Sequence, residues 1–137
     1  MRNSKLFNSI GYEIYEDLLD KNDCNTLIEA AYEMKGSQSD DYSPIMHPHR
    51  QKNGEIFSKT IKKKKIFNIL RSRIGKDVML LQSEFFFMPP GTEGFAPHQD
   101  DFYVKSEDKD AFISLWFPLI DVNQNNGCLR IWEKTHK

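Results

Sequence analysis

The sequence predicts an α+β domain in which helices come first and antiparallel strands follow, so that a sheet or barrel is covered by helices on one side. Three observations carry this expectation. Apolar residues recur at helical spacing in the first 75 residues, at Cys24, Leu27, Ile28 and Ala31 and again at Ile66, Phe67, Leu70 and Ile74. From Lys76 onward the apolar period changes to two. Turn-forming clusters at Pro89-Pro90-Gly91 and at Asn123 to Gly127 separate the alternating stretches.

The chain of 137 residues is long enough for one domain with a real core, read as residues 1–137 with a helical lead-in over 1–75 and strands over 76–137. A hydrophobic share of 39%, with ten Phe, favours a folded protein over disorder. The net charge of -1 supplies no global field for nucleic acid or an anionic membrane. No run approaches the ~20 apolar residues of a membrane span. The start, Met1-Arg2-Asn3-Ser4-Lys5, leads into no secretory-type apolar core. Cys24 and Cys128 match no zinc or redox spacing and read as buried free thiols of a reducing, cytoplasmic compartment.

Taken in order, Phe7 to Leu19 reads as an extended lead-in with a turn at Gly11. Asp20 caps the first helix, with Asp23 in the reciprocal capping-box position, and the helix ends near Gly36. Gly36 to Gly54 is rich in Ser, Asp, Pro and His and reads as a long loop carrying His47-Pro48-His49-Arg50. Two His two apart can bind a metal, but no carboxylate stands at ligand spacing, so the reading preferred is a proline-stiffened loop. A second helix is expected over 57–74 with Gly75 as its C-terminal cap. Its Lys62 to Lys65 run reads as a solvated face rather than a phosphate or acidic-partner site, because the chain as a whole is not basic, and RNA binding through it and Phe67 is disfavoured because no basic-aromatic sheet motif accompanies it.

In the second half, Met79, Leu81, Ser83, Phe85 and Phe87 line one face of a strand, and Leu80, Gln82, Glu84 and Phe86 the other. A second strand is expected over Ala111 to Leu119. Its apolar face of Ile113, Leu115, Phe117 and Leu119 should pack on the helices, with Ser114 and Trp116 on the mixed face. A third strand is expected to start at Cys128 to Trp132. Between the first two lies Pro97-His98-Gln99-Asp100. In an extended segment residues two apart share a side, so His98 and Asp100 can offer an imidazole nitrogen and a carboxylate oxygen to one metal ion. An H-x-D tripeptide alone occurs by chance in many soluble proteins and would pass for a surface turn; its surroundings change that.

The surrounding motifs, in order, are Phe85 to Gly91, His98-Gln99-Asp100, Ser114-Leu115-Trp116, Asn126-Gly127-Cys128-Leu129 and Glu133 to Lys137. From about Gln82 onward this succession resembles the phytanoyl-CoA dioxygenase family of Fe(II)- and 2-oxoglutarate-dependent oxygenases. The resemblance implies a double-stranded β-helix (a jelly roll), here a partial one preceded by packing helices. It implies His98 and Asp100 as two of three iron ligands, and Trp116 near 2-oxoglutarate. Gln82, on a mixed face, is a second candidate for the same cavity, and Trp116 reads equally well as an ordinary core aromatic. O₂ is the co-reactant, ascorbate a supporting reductant, and a small organic or lipid-like molecule the substrate. A carboxylate at Asp100 favours hydroxylation over halogenation.

The sequence departs from the family pattern at Met88, where Lys is frequent, and at Glu133-Lys134, which replaces Pro-Gly. The family's distal His ligand and 2-oxoglutarate-binding Arg have no counterpart, and His136 matches the ending motif rather than the ligand. Two functions are therefore expected as alternatives. One is a hydroxylase whose front portion this chain supplies, inert as it stands. The other is a non-catalytic, degenerate jelly-roll binding module. Self-association through unpaired strand edges is expected in either case.

Overall fold

The computed structural model describes residues 4–36, 42–75, 77–104, 106–108 and 111–136. Chain order is α1 (Ser4–Ile10), α2 (Lys21–Lys35), β1 (Ile45–Met46), a 3₁₀ turn (Pro48–Arg50), α3 (Glu55–Ile61), α4 (Lys64–Ile74), β2 (Glu84–Phe85) and a second 3₁₀ turn (Asp100–Phe102). The fold is thus mixed: helices and one small antiparallel sheet, in which Ile45 pairs with Phe85 and Met46 with Glu84.

α2 begins and ends where its sequence says it should. Asp20 accepts from the Asp23 backbone N–H at 2.8 Å, and Asp23 accepts from the Asp20 N–H at 3.1 Å, which satisfies two orphan donors at once. Gly36, at φ 61, stops the helix where a side chain would be strained. The inward face of α2 supplies Leu27 and Ala31 to a core completed by Ile45 and Phe57. Phe85, Phe87 and Leu119 pack against that core from the second half. Phe87 meets the edge of Tyr32 at 5.4 Å, and Phe85 meets Phe57 at 6.1 Å, the tilted geometry that aromatic quadrupoles prefer. Ile66 and Leu70 bury the inner stripe of α4, which Gly75 caps in the left-handed region.

Several expectations are corrected. The lead-in expected to be extended contains a helix: Phe7 and Ile10 lie at helical spacing, and Gly11, at φ 94, closes α1 with its N–H on the Phe7 carbonyl. The single helix expected over 57–74 is two. Lys63 leaves the helical region (φ -52, ψ 130), which turns its ammonium onto Asp23, while Lys65 reaches the Asp17 carbonyl at 2.8 Å. The lysine run is therefore a break and a clasp, not only a solvated face. The loop expected from Gly36 to Gly54, of which 37–41 lie outside the described residues, holds β1 and the first 3₁₀ turn. A two-residue strand is too short to show a period.

The strand reading is corrected most. Of the strand expected from 79 to 87, only Glu84–Phe85 joins a ladder. Its alternation survives locally, with Phe85 and Phe87 against the core and Phe86 43% exposed, but Met79 is 78% exposed. Among the described residues no ladder forms over 111–119 or 128–132, so the jelly-roll strands expected there are not observed. The physical reason is general: alternation makes a segment competent to be a strand, and only a hydrogen-bonded neighbour makes it one. The apolar face of 113–119 divides accordingly. Leu119 packs on the core and Ile113 and Phe117 are half-buried, while Leu115 is exposed. Cys24 and Cys128 are free and half-buried rather than buried. No helix among the described residues is long and apolar enough to cross a membrane.

Candidate metal centre

The segment that carries His98 and Asp100 starts from a turn. Gly91, at φ 85, occupies the third position of Pro89-Pro90-Gly91-Thr92, and the Thr92 N–H closes it on the Pro89 carbonyl at 3.1 Å. Phe95 then packs edge-on against Phe86 at 5.3 Å, and His98 lies between Phe95 and Tyr103, with ring centroids 6.4 and 5.4 Å away. Gln99 is extended (φ -111, ψ 136), so its two neighbours share a side as their spacing predicts. The side chain of Gln99 goes elsewhere, donating to the Thr135 carbonyl. Asp100 opens the second 3₁₀ turn, where its carbonyl accepts from the N–H groups of Tyr103 and Val104, both at 3.0 Å.

His98 Nε2 stands 3.5 Å from Asp100 Oδ1. The other ring nitrogen, Nδ1, is 2.7 Å from the Ala96 carbonyl. A carbonyl can only accept, so Nδ1 carries a proton, and in the neutral ring Nε2 presents a lone pair toward the carboxylate. Two Lewis bases facing each other at that separation favour a cation between them. Bonds of about 2.1 Å from each ligand can bridge the gap, so the pair fits a metal ion. A backbone carbonyl that fixes the tautomer is also the usual outer-shell partner of a metal-binding His. Ser114 donates its hydroxyl to the second oxygen, Asp100 Oδ2. His98 and Asp100 side chains are 36% and 51% exposed, so an ion here would be open to solvent and to further ligands.

Among the described residues no group of three His, Cys, Asp or Glu converges. His136 is engaged elsewhere: Nε2 donates to the Asn8 carbonyl at 3.2 Å and the ring lies over Gly11. Lys134 N–H to the Ile10 carbonyl at 2.9 Å fastens the same segment to α1. Of the other candidates, Trp116 is 47% exposed, and Gln82 turns its amide to Glu84. Ser114 was the residue that sequence reasoning placed beside Trp116 without a role. The signal was its parity, which put it on the same side of the expected strand as Trp116.

Of the two loop histidines, His49 has side-chain hydrogen-bond partners, whereas His47 Nδ1 is buried without one among the described residues and its ring meets that of His49 edge-on at 6.0 Å. His49 Nε2 accepts from Arg50 Nε at 3.1 Å, which leaves Nδ1 to donate to Ser83 Oγ. Burial, then Arg50 and His47, hold the His49 pKa below its ordinary value. The pair therefore ties the first 3₁₀ turn to the approach of β2. A groove of about 300 Å³ lies beside it, lined by His49, Gln51, Glu55, Ser58, Lys59 and Lys62. It does not contain the His98–Asp100 pair. The groove's one carboxylate, Glu55, is paired with Lys59 at 3.2 Å.

Comparison with known proteins identifies the family. The model of the phytanoyl-CoA dioxygenase (PhyH) family matches residues 7–137. The chain is similar to phytanoyl-CoA dioxygenase domain-containing protein 1 of Danio rerio, with 31% identity over 75 residues, covering 54% of this chain. It spans about a quarter of that relative's length (26%). No solved structure matches. With nearly all of its length matched by the family model, the chain belongs to the phytanoyl-CoA dioxygenase family.

Proposed function

We propose that this chain supplies the iron-binding front portion of an Fe(II)- and 2-oxoglutarate-dependent hydroxylase acting on a small organic or lipid-like substrate. The observation that carries the reading is the facing of His98 Nε2 and Asp100 Oδ1 at 3.5 Å, with the imidazole tautomer set by Ala96. His98 and Asp100 would hold the metal, as two ligands of a 2-His-1-carboxylate set. Bound there with 2-oxoglutarate, iron supplies the activation of O₂ that hydroxylation of an unactivated C–H bond requires. The protein's own part is positioning and shielding. Phe95 and Tyr103 flank the imidazole and restrict its rotation. Trp116, two residues beyond Ser114 on the same parity, is the residue we assign to the co-substrate side. Gln82 joins that side only by exchanging Glu84 for the co-substrate.

The test is anaerobic titration of the 137-residue protein with Fe(II), and with Co(II) as a spectroscopic substitute, followed by calorimetry. His98→Ala and Asp100→Ala should each weaken binding at least about tenfold, since each removes one of two ligands. Asp101→Ala, the neighbouring carboxylate, should leave it unchanged. Equal affinity in wild type and His98→Ala would sink the proposal. Succinate release from 2-oxoglutarate, with Fe(II) and ascorbate, should stay at background, because two ligands close the coordination sphere poorly. Turnover above background that disappears in His98→Ala would show that a working site is completed, and would overturn the expectation of inertness.

A further inference from the structure

We infer that Ser114 is the positioning residue for Asp100: its hydroxyl selects which carboxylate oxygen faces His98. The inference rests on the metal-binding reading and adds a residue to it. A carboxylate has two equivalent oxygens and rotates easily about its last bond. At Asp100 the backbone is fixed, since its carbonyl holds the N–H groups of Tyr103 and Val104, but that leaves the carboxylate free to turn. Ser114 removes the freedom. Its Oγ donates to Oδ2, and Oδ1 is thereby left on the side of His98 Nε2, 3.5 Å away. A hydroxyl donating to one oxygen also disfavours bidentate binding, since that oxygen's charge is partly engaged. Asp100 would bind through Oδ1 alone, which leaves one more position on the ion open to exogenous ligands.

Sequence parity gives Ser114 its side, and the structure gives it its partner. It comes from a different segment, 14 residues on, so the bond joins the 98–102 turn to the 112–119 stretch. On the odd parity Ile113 and Phe117 are half-buried and Leu119 packs on the helical core, while Leu115 is exposed. The apolar parity thus anchors the segment, and the alternate parity delivers the hydroxyl. Ala96 does for His98 what Ser114 does for Asp100, one fixing the tautomer and the other the oxygen.

The experiment is a Co(II) titration of wild type, Ser114→Ala, Ser114→Thr, Asp100→Ala, His98→Ala and the Ser114→Ala/Asp100→Ala double variant, with thermal melting of each metal-free protein. Ser114→Ala should bind about tenfold more weakly, the low end of the 10–100-fold range for outer-shell partners, because Asp100 is half exposed. Ser114→Thr keeps the hydroxyl and should bind within about threefold of wild type. In the Asp100→Ala background the serine substitution should add nothing, which a merely structural role would not reproduce. Weakening by Ser114→Ala that persists in that background, or that Thr does not rescue, overturns the inference. Unchanged affinity in Ser114→Ala beside a loss in His98→Ala overturns it alone. Unchanged affinity in His98→Ala overturns it together with the metal-binding reading.

Discussion

Glu13 and Arg73 join the segment after α1 to the end of α4, and removing one of them should be the most damaging single charge change in the domain. Arg73 Nε and Nη2 donate to the two carboxylate oxygens at 2.6–2.9 Å, and Nη2 also donates to the Tyr15 hydroxyl at 2.9 Å. The side chains are only 12% and 7% exposed, so solvent screens them little. Glu13→Ala leaves a guanidinium in that place with no carboxylate, and stranding one partner of a buried pair costs about 3–5 kcal/mol. The low end applies here, about 3 kcal/mol, because the Tyr15 oxygen remains to accept. With a urea slope of about 1.5–2 kcal/mol per M, the unfolding midpoint should fall by roughly 1.5–2 M. The assay is urea unfolding followed by far-UV circular dichroism, on wild type, Glu13→Ala, Arg73→Met and the double variant. The double variant should be no worse than Glu13→Ala, because no charge is then left unpaired. A midpoint within about 0.3 M of wild type for Glu13→Ala would refute the reasoning, since that is the size expected of an exposed pair.

Three further outcomes are expected. Gly54→Ala should be destabilised by about 1–3 kcal/mol in the same assay, since a Cβ there would run into the backbone carbonyl of Pro48 and lie 2.9 Å from that of Gln51; a stable Ala variant would place the first 3₁₀ turn elsewhere. Two groups should lower stability in acid. The folded pKa of His49 lies below its unfolded value near 6.5, so its contribution is complete above that pH and lost as pH falls through the folded pKa; Asp23, lowered first by the Lys63 hydrogen bond, does the same below its unfolded value near 3.8. Urea midpoints at pH 7.5 and 5.5 should converge in His49→Asn, whose amide replaces Nδ1–H, and persistence of the full wild-type difference would count against the His49 assignment. The 137-residue protein should also self-associate, as light scattering would report: large apolar side chains such as Ile120, Leu129, Ile131 and Trp132 stand exposed, and a clean monomer at about 50 μM would refute this.

The helical half was legible because its signals are local. Asp20 and Asp23 make a capping box from residues three apart, and Gly36 and Gly75 end helices through their own φ. The lysine break was not legible, because the partner that Lys63 meets there is the distant Asp23, 40 residues away. β1 was hidden for a related reason: Ile45 is strand only because Phe85 stands opposite. The strands expected over 111–119 and 128–132 show the converse, a correct alternation with no observed neighbour to pair it. For the candidate site, spacing sufficed for His98 and Asp100, since an extended Gln99 is all their approach requires. Ser114 needed the fold, because parity gave its side and not its partner.

The site and the core are also held by different physics. The core at Leu27, Ala31, Ile45 and Phe57 is apolar contact, cooperative and insensitive to any one polar bond. Residues 91–100 are all exposed, and what holds their neighbourhood is a short set of specific contacts: Phe95 on Phe86, Gln99 on Thr135 and Ser114 on Asp100. A segment with few buried apolar contacts lies at the low end of local stability. Removing His98 or Asp100 therefore leaves the Leu27–Phe57 core untouched, while an ion bridging the two would add the one strong tie that the 98–102 turn otherwise lacks. Part of an ion's affinity here would therefore appear as added local stability of the turn.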